Sequence, residues 1–282
     1  MTVTVLRPGP LTVVKDAGRP GHAHQGVAES GAVDRAAYAR ANALAGNPPG
    51  TAVLECTLGG LRLRTDAPAT FVLTGTDAVL TVDGTNTAPE HVVEVPAGAT
   101  VTITMPRRGL RSYLAVRGGF AVPAVLGSRS TDQIGGIGPA RLAPGDVLPV
   151  GEPRAAQAPA VLPPPPAGDG PLLMDLGPRD DWFTAEAIET FLTAEFTVSP
   201  QSNAVGLRLD GPPLARARTE ELPSEGVVRG AVQVPPNGQP IIFQADHPVT
   251  GGYPVLAVLT PESADRAAQA RPGAKLRFRR AR

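Results

Sequence analysis

The side chains of this chain that are best suited to binding or catalysis lie in polar loops that follow strand-like segments. Asp16 and Arg19 occupy a glycine-containing turn after an apolar run. Arg129 and Ser130 lie in a second loop, 126–132, that offers hydroxyls, backbone amides and a guanidinium within a few residues. This composition suits the binding of an oxyanion or a phosphate, and a solvated hydrophilic turn is the alternative interpretation.

A third group of polar residues surrounds the start of a predicted helix. Ser30 and Asp34 lie where unpaired backbone N–H groups and the positive end of the helix dipole favour negative charge. Helix capping by itself would explain Ser30 or Asp34. It would not explain Asn42, further along the same helix, so all three residues are candidates for ligand binding.

The second half of the chain places polar residues within or at the ends of apolar strands. Gln233 has apolar neighbours, so its amide must find a partner or a ligand to offset the loss of water. Asp246 ends an apolar segment and enters a Gly-Gly loop, a common position for a functional carboxylate, although turn capping would also explain it. A triad containing Asp246 and His247 is disfavoured because adjacent residues rarely face each other.

Standard catalytic and cofactor motifs are absent from the sequence. Lysine occurs only at Lys15 and Lys275, and no G-x-x-x-x-G-K-[ST] phosphate loop exists. Anion recognition must therefore use arginine or backbone N–H groups. His22 and His24 lack the further ligands of a metal site and are interpreted as solvated, and no G-x-S-x-G nucleophile elbow is present.

Composition excludes several classes of function. The 282 residues carry 26 acidic and 26 basic side chains, so the net charge of +0 provides no attraction to nucleic acid or anionic lipid. The single cysteine, Cys56, cannot form an internal disulfide and is interpreted as buried. Neither a signal peptide nor an apolar run of membrane-spanning length is recognisable, so the expected location is the cytoplasm.

The elements that must position these residues are predicted to be mainly strands. Glycine and proline, 32 each, punctuate the chain, and Asp83-Gly84 and Asn237-Gly238 are typical of tight hairpins. The predicted strands include 70–73, 78–82, 101–105, 112–116, 205–209, 230–234, 241–245, 255–259 and 275–278. The predicted helices are 32–45, 185–193 and 261–270, the last two with Thr184 and Thr260 as N-caps.

A proline-rich segment divides the chain. Residues 151–170 contain four consecutive prolines and favour an extended, semi-rigid linker. We therefore predict an N-terminal lobe of residues 1–150 and a C-terminal lobe of residues 171–282. Regularly spaced strands on both sides favour a small β-barrel or sandwich in each lobe.

Several segments of the sequence, in order, are similar to one protein family. They are DAGRPGHAHQGVAESGAVDRAAYARANALAGNPPGTAVLECTLGG, RSYLAVRGGF, LGSRSTD, GAVQVPPNGQPIIFQAD and TGGYPVLAV. From about Leu6 to Phe278 the chain resembles the C subunit of the bacterial ATP-dependent 5-oxoprolinase. This family is also described as allophanate-hydrolase-subunit-2-like or biotin-dependent-carboxyltransferase-like.

The resemblance implies a fold, a reaction and partners. It implies two cyclophilin-like β-barrel lobes, and an assembly with a B subunit and a third, A-like hydrolase subunit. That assembly would open the lactam of 5-oxo-L-proline to L-glutamate, with ATP and its Mg²⁺ as cosubstrate. Two alternatives stay open: a carboxyltransferase component of a urea or amide carboxylase, and a non-catalytic regulator that binds a kinase inhibitor.

The resemblance also implies a set of site residues. Asp34 and Asp246 would be catalytic, orienting or deprotonating groups, and no residue would bind a metal. The substrate- or phosphate-binding residues would be Asp16, Arg19, Ser30, Asn42, Arg129, Ser130, Gln233, Thr250 and Tyr253. We expect these loops to converge on one shared cleft.

The sequence departs from the family pattern at two places. Lys15 stands where the family usually has glutamine, and 202–206 reads SNAVG where SDRMG is common. The second change removes an Asp and an Arg, so a role for that loop is in doubt. The M-K-M biotin-attachment motif is absent, so biotin is not expected to be attached to this chain.

Overall fold

The computed structural model describes residues 1–153 and 170–281, which form two compact units. Unit 1 contains Met1–Arg19, Ser30–Asp132 and the segment that begins at Gly136. Unit 2 contains Pro20–Glu29, Gln133–Gly135 and the C-terminal part of the chain from residue 170. Most of the predicted linker, residues 151–170, lies outside the described residues, so the lobe boundary stays a prediction.

Unit 1 consists of two antiparallel sheets and one helix, α1 (Arg35–Ala45). Its strands are β1 (Thr2–Pro8), β2 (Leu11–Lys15), β3 (Val53–Thr57), β4 (Leu61–Thr65), β5 (Ala69–Thr74), β6 (Leu80–Val82), β7 (Thr85–Asn86), β8 (Val93–Val95), β9 (Thr100–Ile103), β10 (Arg111–Val116) and β11 (Val147–Pro149). One sheet has the order β11-β1-β4-β9-β6-β7, and the other has the order β2-β3-β10-β5-β8.

The two sheets of unit 1 enclose one apolar core. Leu63 from the first sheet packs in it together with Leu54 and Phe71 from the second. The opposite face of the second sheet is covered by α1, where Ala41 packs with Val53. Because both faces of this sheet are buried, β5 and β10 contain only buried residues and lack the alternating polarity of a half-exposed strand.

Unit 2 is built around one sheet of eight strands. Its helices are α2 (Ala185–Thr193) and α3 (Pro261–Ala268). Its strands are β12 (Leu172–Leu176), β13 (Phe196–Val198), β14 (Gly206–Asp210), β15 (Glu225–Gly226), β16 (Ala231–Gln233), β17 (Ile241–Phe243), β18 (Thr250–Gly251), β19 (Val255–Leu259), β20 (Lys275–Leu276) and β21 (Phe278–Arg280). Strands β15 and β18 form a separate pair.

The large sheet of unit 2 curls into a nearly closed barrel. Its order is β20-β13-β14-β17-β16-β19-β12-β21, so its two edge strands are β20 and β21. Only Arg277 separates these strands in the chain, which brings the two edges together. Inside, Phe191 of α2 stacks on Phe278 with 4.3 Å between ring centroids, and Phe196 contacts both rings at 5.8 and 6.0 Å.

The structure confirms the mainly β prediction, and the described residues contain three α-helices at the three places predicted. Helix α2 has the predicted bounds, and Thr184 accepts a capping hydrogen bond from Ala187 N. The Asp83-Gly84 hairpin joins β6 to β7, with both residues at positive φ, as a two-residue type I′ turn requires. The cyclophilin likeness of each lobe stays a prediction.

Several predicted elements have different limits in the structure; for example, α3 ends at Ala268 and β17 ends at Phe243. Helix α1 begins three residues later than predicted, because Asp34 has an extended backbone (φ −100°, ψ 96°) and serves as the N-cap. The predicted strand 275–278 is divided at Arg277, because this segment crosses from one edge of the barrel to the other. No helix in the described parts of the chain is long and apolar enough to cross a membrane.

Candidate functional site

The Asp16 carboxylate joins the two polar loops of unit 1. Its Oδ1 accepts hydrogen bonds from Ser128 Oγ at 2.6 Å, Ser130 Oγ at 2.8 Å and Gly18 N at 2.8 Å. Its Oδ2 accepts from Arg129 N at 2.6 Å. In return, Asp16 N donates to Ser130 Oγ at 2.9 Å. The structure thus brings Asp16, Arg129 and Ser130 together, and Asp16 sets the relative position of their backbones.

Arg19 is the buried cation of this cluster. Its side chain is 1% exposed, and Nη2 donates to the carbonyl oxygen of Ser130. The remaining guanidinium nitrogens, Nε and Nη1, are buried and have no hydrogen-bond partner. Gly138 makes this packing possible, because a Cβ there would lie 2.2 Å from Ser130 O and 3.3 Å from Arg19 Nη2. Arg19 therefore has hydrogen-bonding capacity left for an oxygen ligand.

Lys15 and Ser30 form the adjoining part of the cluster. Lys15 is fully buried, and its Nζ donates to Thr131 O at 2.7 Å and to Ser30 Oγ at 3.3 Å. Ser30 is fully buried with φ +57°, a conformation that non-glycine residues rarely adopt. The ammonium group of Lys15 thus links the Ser30 turn to the second polar loop. Lys15 was not among the site residues predicted from the sequence.

Asp34 caps α1 and belongs to a second buried network. Its Oδ1 accepts from Ala37 N at 2.9 Å, and its own backbone N–H donates to Tyr113 Oη at 2.7 Å. Tyr113 Oη in turn donates to Glu55 Oε2 at 2.8 Å, and Arg111 Nε lies 3.7 Å from Glu55 Oε1. Burial, followed by the nearby charge of Glu55, raises the pKa of Tyr113 well above its usual value.

This network was not predicted from the sequence, although the sequence contains one indication of it. Glu55 lies in the middle of an apolar strand, and a buried carboxylate there requires partners. The partners come from β10, where Tyr113 is directly opposite Glu55 in the antiparallel register. That pairing depends on strand order, which the local sequence does not specify.

A cavity of about 730 Å³ lies along the exposed side of α1 in unit 1. Two predicted binding residues, Asp16 and Asn42, contribute to its walls, together with Arg35 and Tyr38. Small apolar side chains such as Ala39 complete the lining. Burial, followed by the charge of Asp16, raises the pKa of Tyr38 far above its usual value, so the phenol is neutral.

The position of Asn42 within α1 has a structural explanation. Its Nδ2 donates to Thr51 O at 2.9 Å, and its Oδ1 accepts from Asn47 Nδ2 at 3.0 Å. Asn47 Oδ1 accepts from Gly118 N at 2.9 Å. Asn42 thus attaches the loop after α1 to the helix, and it also lines the cavity.

In unit 2 the structure brings Gln233, Thr250 and Tyr253 close together. Gln233 Nε2 donates to Tyr253 O at 2.7 Å. A Cβ on Gly251, the residue after Thr250, would lie 2.4 Å from the same Nε2, so a side chain there would force the Gln233 amide to shift. Tyr253 is 44% exposed, and the Arg216 guanidinium lies 5.9 Å from its ring centroid. This arrangement leaves an aromatic face accessible at the surface of unit 2.

Asp246 is fully buried in unit 2. Its backbone N–H donates to Ala204 O at 2.9 Å, and its Oδ2 accepts from Gln133 N at 3.5 Å. The neighbouring His247 has Nδ1 at 2.7 Å from Pro248 O, a carbonyl acceptor, so Nδ1 is the donor of this hydrogen bond. Hydrogen bonds to backbone groups therefore help to fix the positions of both side chains.

The predicted site residues thus fall into two sets. Unit 1 holds Asp16, Arg19, Ser30, Asp34, Asn42, Arg129 and Ser130, and unit 2 holds Gln233, Asp246, Thr250 and Tyr253. Arg129 Nε donates to Val122 O at 2.7 Å, which occupies one of its nitrogens. A cleft shared by both sets stays a prediction. The described residues contain no group of three or more His, Cys, Asp or Glu side chains that could hold a metal ion.

The chain belongs to the carboxyltransferase domain, subdomain A and B family, whose model matches residues 25–280. Over 264 residues it is 37% identical to the C subunit of 5-oxoprolinase from Escherichia coli K12, covering 90% of this chain and 83% of that protein. Over 270 residues it is 32% identical to the corresponding C subunit from Haemophilus influenzae, covering 94% and 86%.

A solved structure extends the comparison to a second kind of enzyme. The crystal structure of the K. lactis urea amidolyase matches this fold with a TM-score of 0.92 at 29% sequence identity. The match covers 98% of this chain but only 18% of the urea amidolyase chain. The same domain therefore occurs both as a separate protein and as a small part of a much larger polypeptide.

Proposed function

We propose that this chain is the C subunit of a cytoplasmic, ATP-dependent 5-oxoprolinase that opens the lactam of 5-oxo-L-proline to L-glutamate. It would act only with a B subunit and an A-like hydrolase subunit. The observation that carries the proposal is the extent of the match to two C subunits, which covers 83% and 86% of their lengths.

The cluster around Arg19 suits the chemistry of lactam opening. Attack on a lactam carbonyl places negative charge on its oxygen, and phosphoryl transfer to that oxygen brings in the negative charge of the phosphoryl group. Fixed donors stabilise both kinds of charge. Arg19 Nε and Nη1 are donors without partners, and the Asp16 hydrogen bonds hold the surrounding backbone in place. When bound, ATP would supply the phosphoryl group that activates the lactam oxygen, and its phosphates would carry the Mg²⁺. Asp246 would orient the substrate or accept a proton.

The test is a coupled assay of the complete complex. This chain is purified with its B-like and A-like partners, and ATP hydrolysis is followed with 5-oxoproline or with urea and bicarbonate. We expect turnover only with 5-oxoproline and only when all three proteins are present. ATP hydrolysis that responds to urea and bicarbonate, and not to 5-oxoproline, would contradict the proposal.

Two matched pairs of variants test the assigned residues in that assay. Arg19→Lys keeps the charge but loses the guanidinium fork, and Asp246→Asn keeps the shape but loses the charge. Each should lower kcat/KM for 5-oxoproline by roughly 10²-fold or more, as removal of an oxyanion donor typically does. The controls are Arg62→Lys and Asp175→Asn at exposed strand positions, which should behave as wild type.

The urea amidolyase match favours a second candidate function, that of a carboxyltransferase component of a urea or amide carboxylase. The donor would then be carboxybiotin on a separate carrier protein, because biotin is not expected to be attached to this chain. Transfer of labelled carboxylate from a biotinylated carrier to urea, dependent on this chain, would establish that function. Lack of transfer, together with 5-oxoproline-dependent ATP hydrolysis, would exclude it.

A further inference from the structure

Gln244 is a buried polar residue to which the reaction above assigns no role. It follows β17, and its backbone N–H donates to Val205 O at 2.9 Å. Its side chain is 1% exposed, and neither Nε2 nor Oε1 has a hydrogen-bond partner. Because roughly 90% of buried polar groups in proteins are paired, a carboxamide with both ends unpaired calls for a ligand or a function.

The pleat of β17 determines which face carries Gln244. Ile242, two residues earlier, lies in the apolar core of unit 2, and side chains two apart in a strand share a face. The hydrogen bond to Val205 extends the pairing of β17 with β14 by one residue, so this alternation continues to Gln244. Gln244 therefore lies on the core face where the strand ends, and the mouth of a β-barrel is a common location for small-molecule sites.

The chemistry of a primary carboxamide restricts what can bind it. Nε2 is a donor and Oε1 is an acceptor, and the two lie side by side in one plane. A phosphate or carboxylate would pair with Nε2 and leave Oε1 unsatisfied. A cis-amide presents a carbonyl acceptor beside an N–H donor and therefore satisfies both atoms at once. A lactam has this geometry because the ring holds its amide in the cis form.

We propose that Gln244 is a specificity-determining residue that binds the lactam edge of 5-oxoproline through two reciprocal hydrogen bonds. Gln244 Nε2 donates to the lactam carbonyl oxygen, and the lactam N–H donates to Gln244 Oε1. This assignment rests on the proposed function and names the group that recognises its substrate. Asp246, two residues further along the chain and fully buried, lies close enough in sequence to act on the same molecule.

The test compares two ligands that differ by one donor. The γ-lactone analogue of 5-oxoproline keeps the carbonyl and the carboxylate but has a ring oxygen in place of the lactam N–H. Affinities of both ligands are measured by calorimetry for the complete complex containing wild-type chain or Gln244→Met. The wild type should prefer the lactam by at least about tenfold, because a buried acceptor left unpaired is costly.

Gln244→Met should bind the lactam more weakly and should prefer it over the lactone by no more than about twofold. Gln201→Met, at an exposed position of unit 2, is the matched control and should keep the wild-type ratio. If the role of Gln244 were purely structural, Gln244→Met would weaken the binding of both ligands equally and leave the ratio of their affinities unchanged. That result would overturn the proposal. Equal affinity of the wild type for the two ligands would overturn it as well.

A second variant keeps the test decisive if Gln244→Met does not assemble. Gln244→Glu is nearly isosteric and retains acceptors only. It should therefore weaken the binding of both ligands strongly, while the lactam still binds more tightly than the lactone. Unchanged lactam affinity in this variant would contradict the assignment. A wild-type complex that hydrolyses ATP in response to 5-oxoproline, with the ratio unaltered by Gln244→Met, refutes the role of Gln244 alone. A complex that neither binds nor responds to 5-oxoproline refutes the proposed function itself.

Discussion

At the scale of single residues, the polar loops of unit 1 contain both supporting and unpaired groups. Asp16 accepts four hydrogen bonds, so its carboxylate is occupied by the protein itself. Arg19, three residues later, keeps two buried nitrogens without partners. Asp16 is therefore best understood as a positioning residue, and Arg19 as the residue with free capacity for a ligand oxygen.

Asp16→Asn should destabilise the protein, because the amide places a donor among groups that are themselves donors. We expect a loss of about 1–3 kcal/mol in the free energy of unfolding, measured by denaturant titration. Asp175→Asn, exposed on β12, is the control and should change stability by less than about 0.5 kcal/mol. Equal stability of the two variants would show that the Asp16 hydrogen bonds do not hold the loops.

Cys56 should be chemically inert in the folded protein. Its side chain is fully buried, and burial raises the pKa of the thiol to about 12, so the reactive thiolate is scarce near neutral pH. A thiol reagent added at neutral pH should label none of the native protein and one thiol per chain in denaturant, as read by mass spectrometry. Rapid labelling of native protein would contradict the predicted burial.

At the scale of elements, α1 is attached to the sheet beneath it by polar as well as apolar contacts. Its apolar face covers the second sheet of unit 1, and its N-terminus is held through Asp34 N and Tyr113 Oη. Asn42 then secures the loop that follows its C-terminus. Both ends of one helix are thus held in place beside the cavity that it lines.

Tyr113→Phe should destabilise unit 1 by about 1–3 kcal/mol, because it leaves Asp34 N–H and Glu55 with one partner fewer. The effect should depend on pH. The pKa of Tyr113 is higher in the folded than in the unfolded state, so its contribution is complete below pH 10 and decreases as the pH rises further.

Unfolding free energies of wild type and Tyr113→Phe, measured from about pH 9 to about pH 11, test this linkage. Above pH 10 the wild type should lose stability more steeply than Tyr113→Phe, so the difference between their unfolding free energies should become smaller. A difference in free energy that stays constant or widens over this range would show that Tyr113 ionises at least as readily in the folded state as in the unfolded state.

At the scale of the whole molecule, each unit has a core of its own, and the chain matches its relatives among the 5-oxoprolinase C subunits over most of their length. The proposed reaction, by contrast, would depend on partner subunits. In the proposed reaction Mg²⁺ would be bound to the nucleotide, and we expect the fold of this chain to need no metal ion.

Removal of metal ions distinguishes a role of Mg²⁺ in the reaction from a structural role in the chain. Excess EDTA should leave the melting temperature of the isolated chain unchanged, because the described residues offer no cluster of metal ligands. The same treatment should abolish ATP hydrolysis by the complete complex, and added Mg²⁺ should restore it. A lower melting temperature in EDTA, reversed by Mg²⁺, would reveal a structural metal in this chain.

The local sequence was sufficient for those features that depend on neighbouring residues. The hairpin at Asp83-Gly84, the cap at Thr184 and the bounds of α2 follow from backbone preferences and short-range hydrogen bonds. The burial of Cys56 agrees with the general tendency of free cysteine to be among the most buried residue types. The family resemblance, carried by ordered motifs, indicated the class of protein.

Only the tertiary structure decided how the polar residues are used. Asp16 and Ser130 are 114 residues apart in the chain, and their pairing depends on which loops the sheets bring together. The link between Tyr113 and Glu55 depends on strand order and register in the same way. The unpaired amide of Gln244 is a property of its surroundings, which are supplied by segments distant in sequence. Hydrogen bonds that connect distant segments are specified by topology, and local sequence patterns do not encode topology.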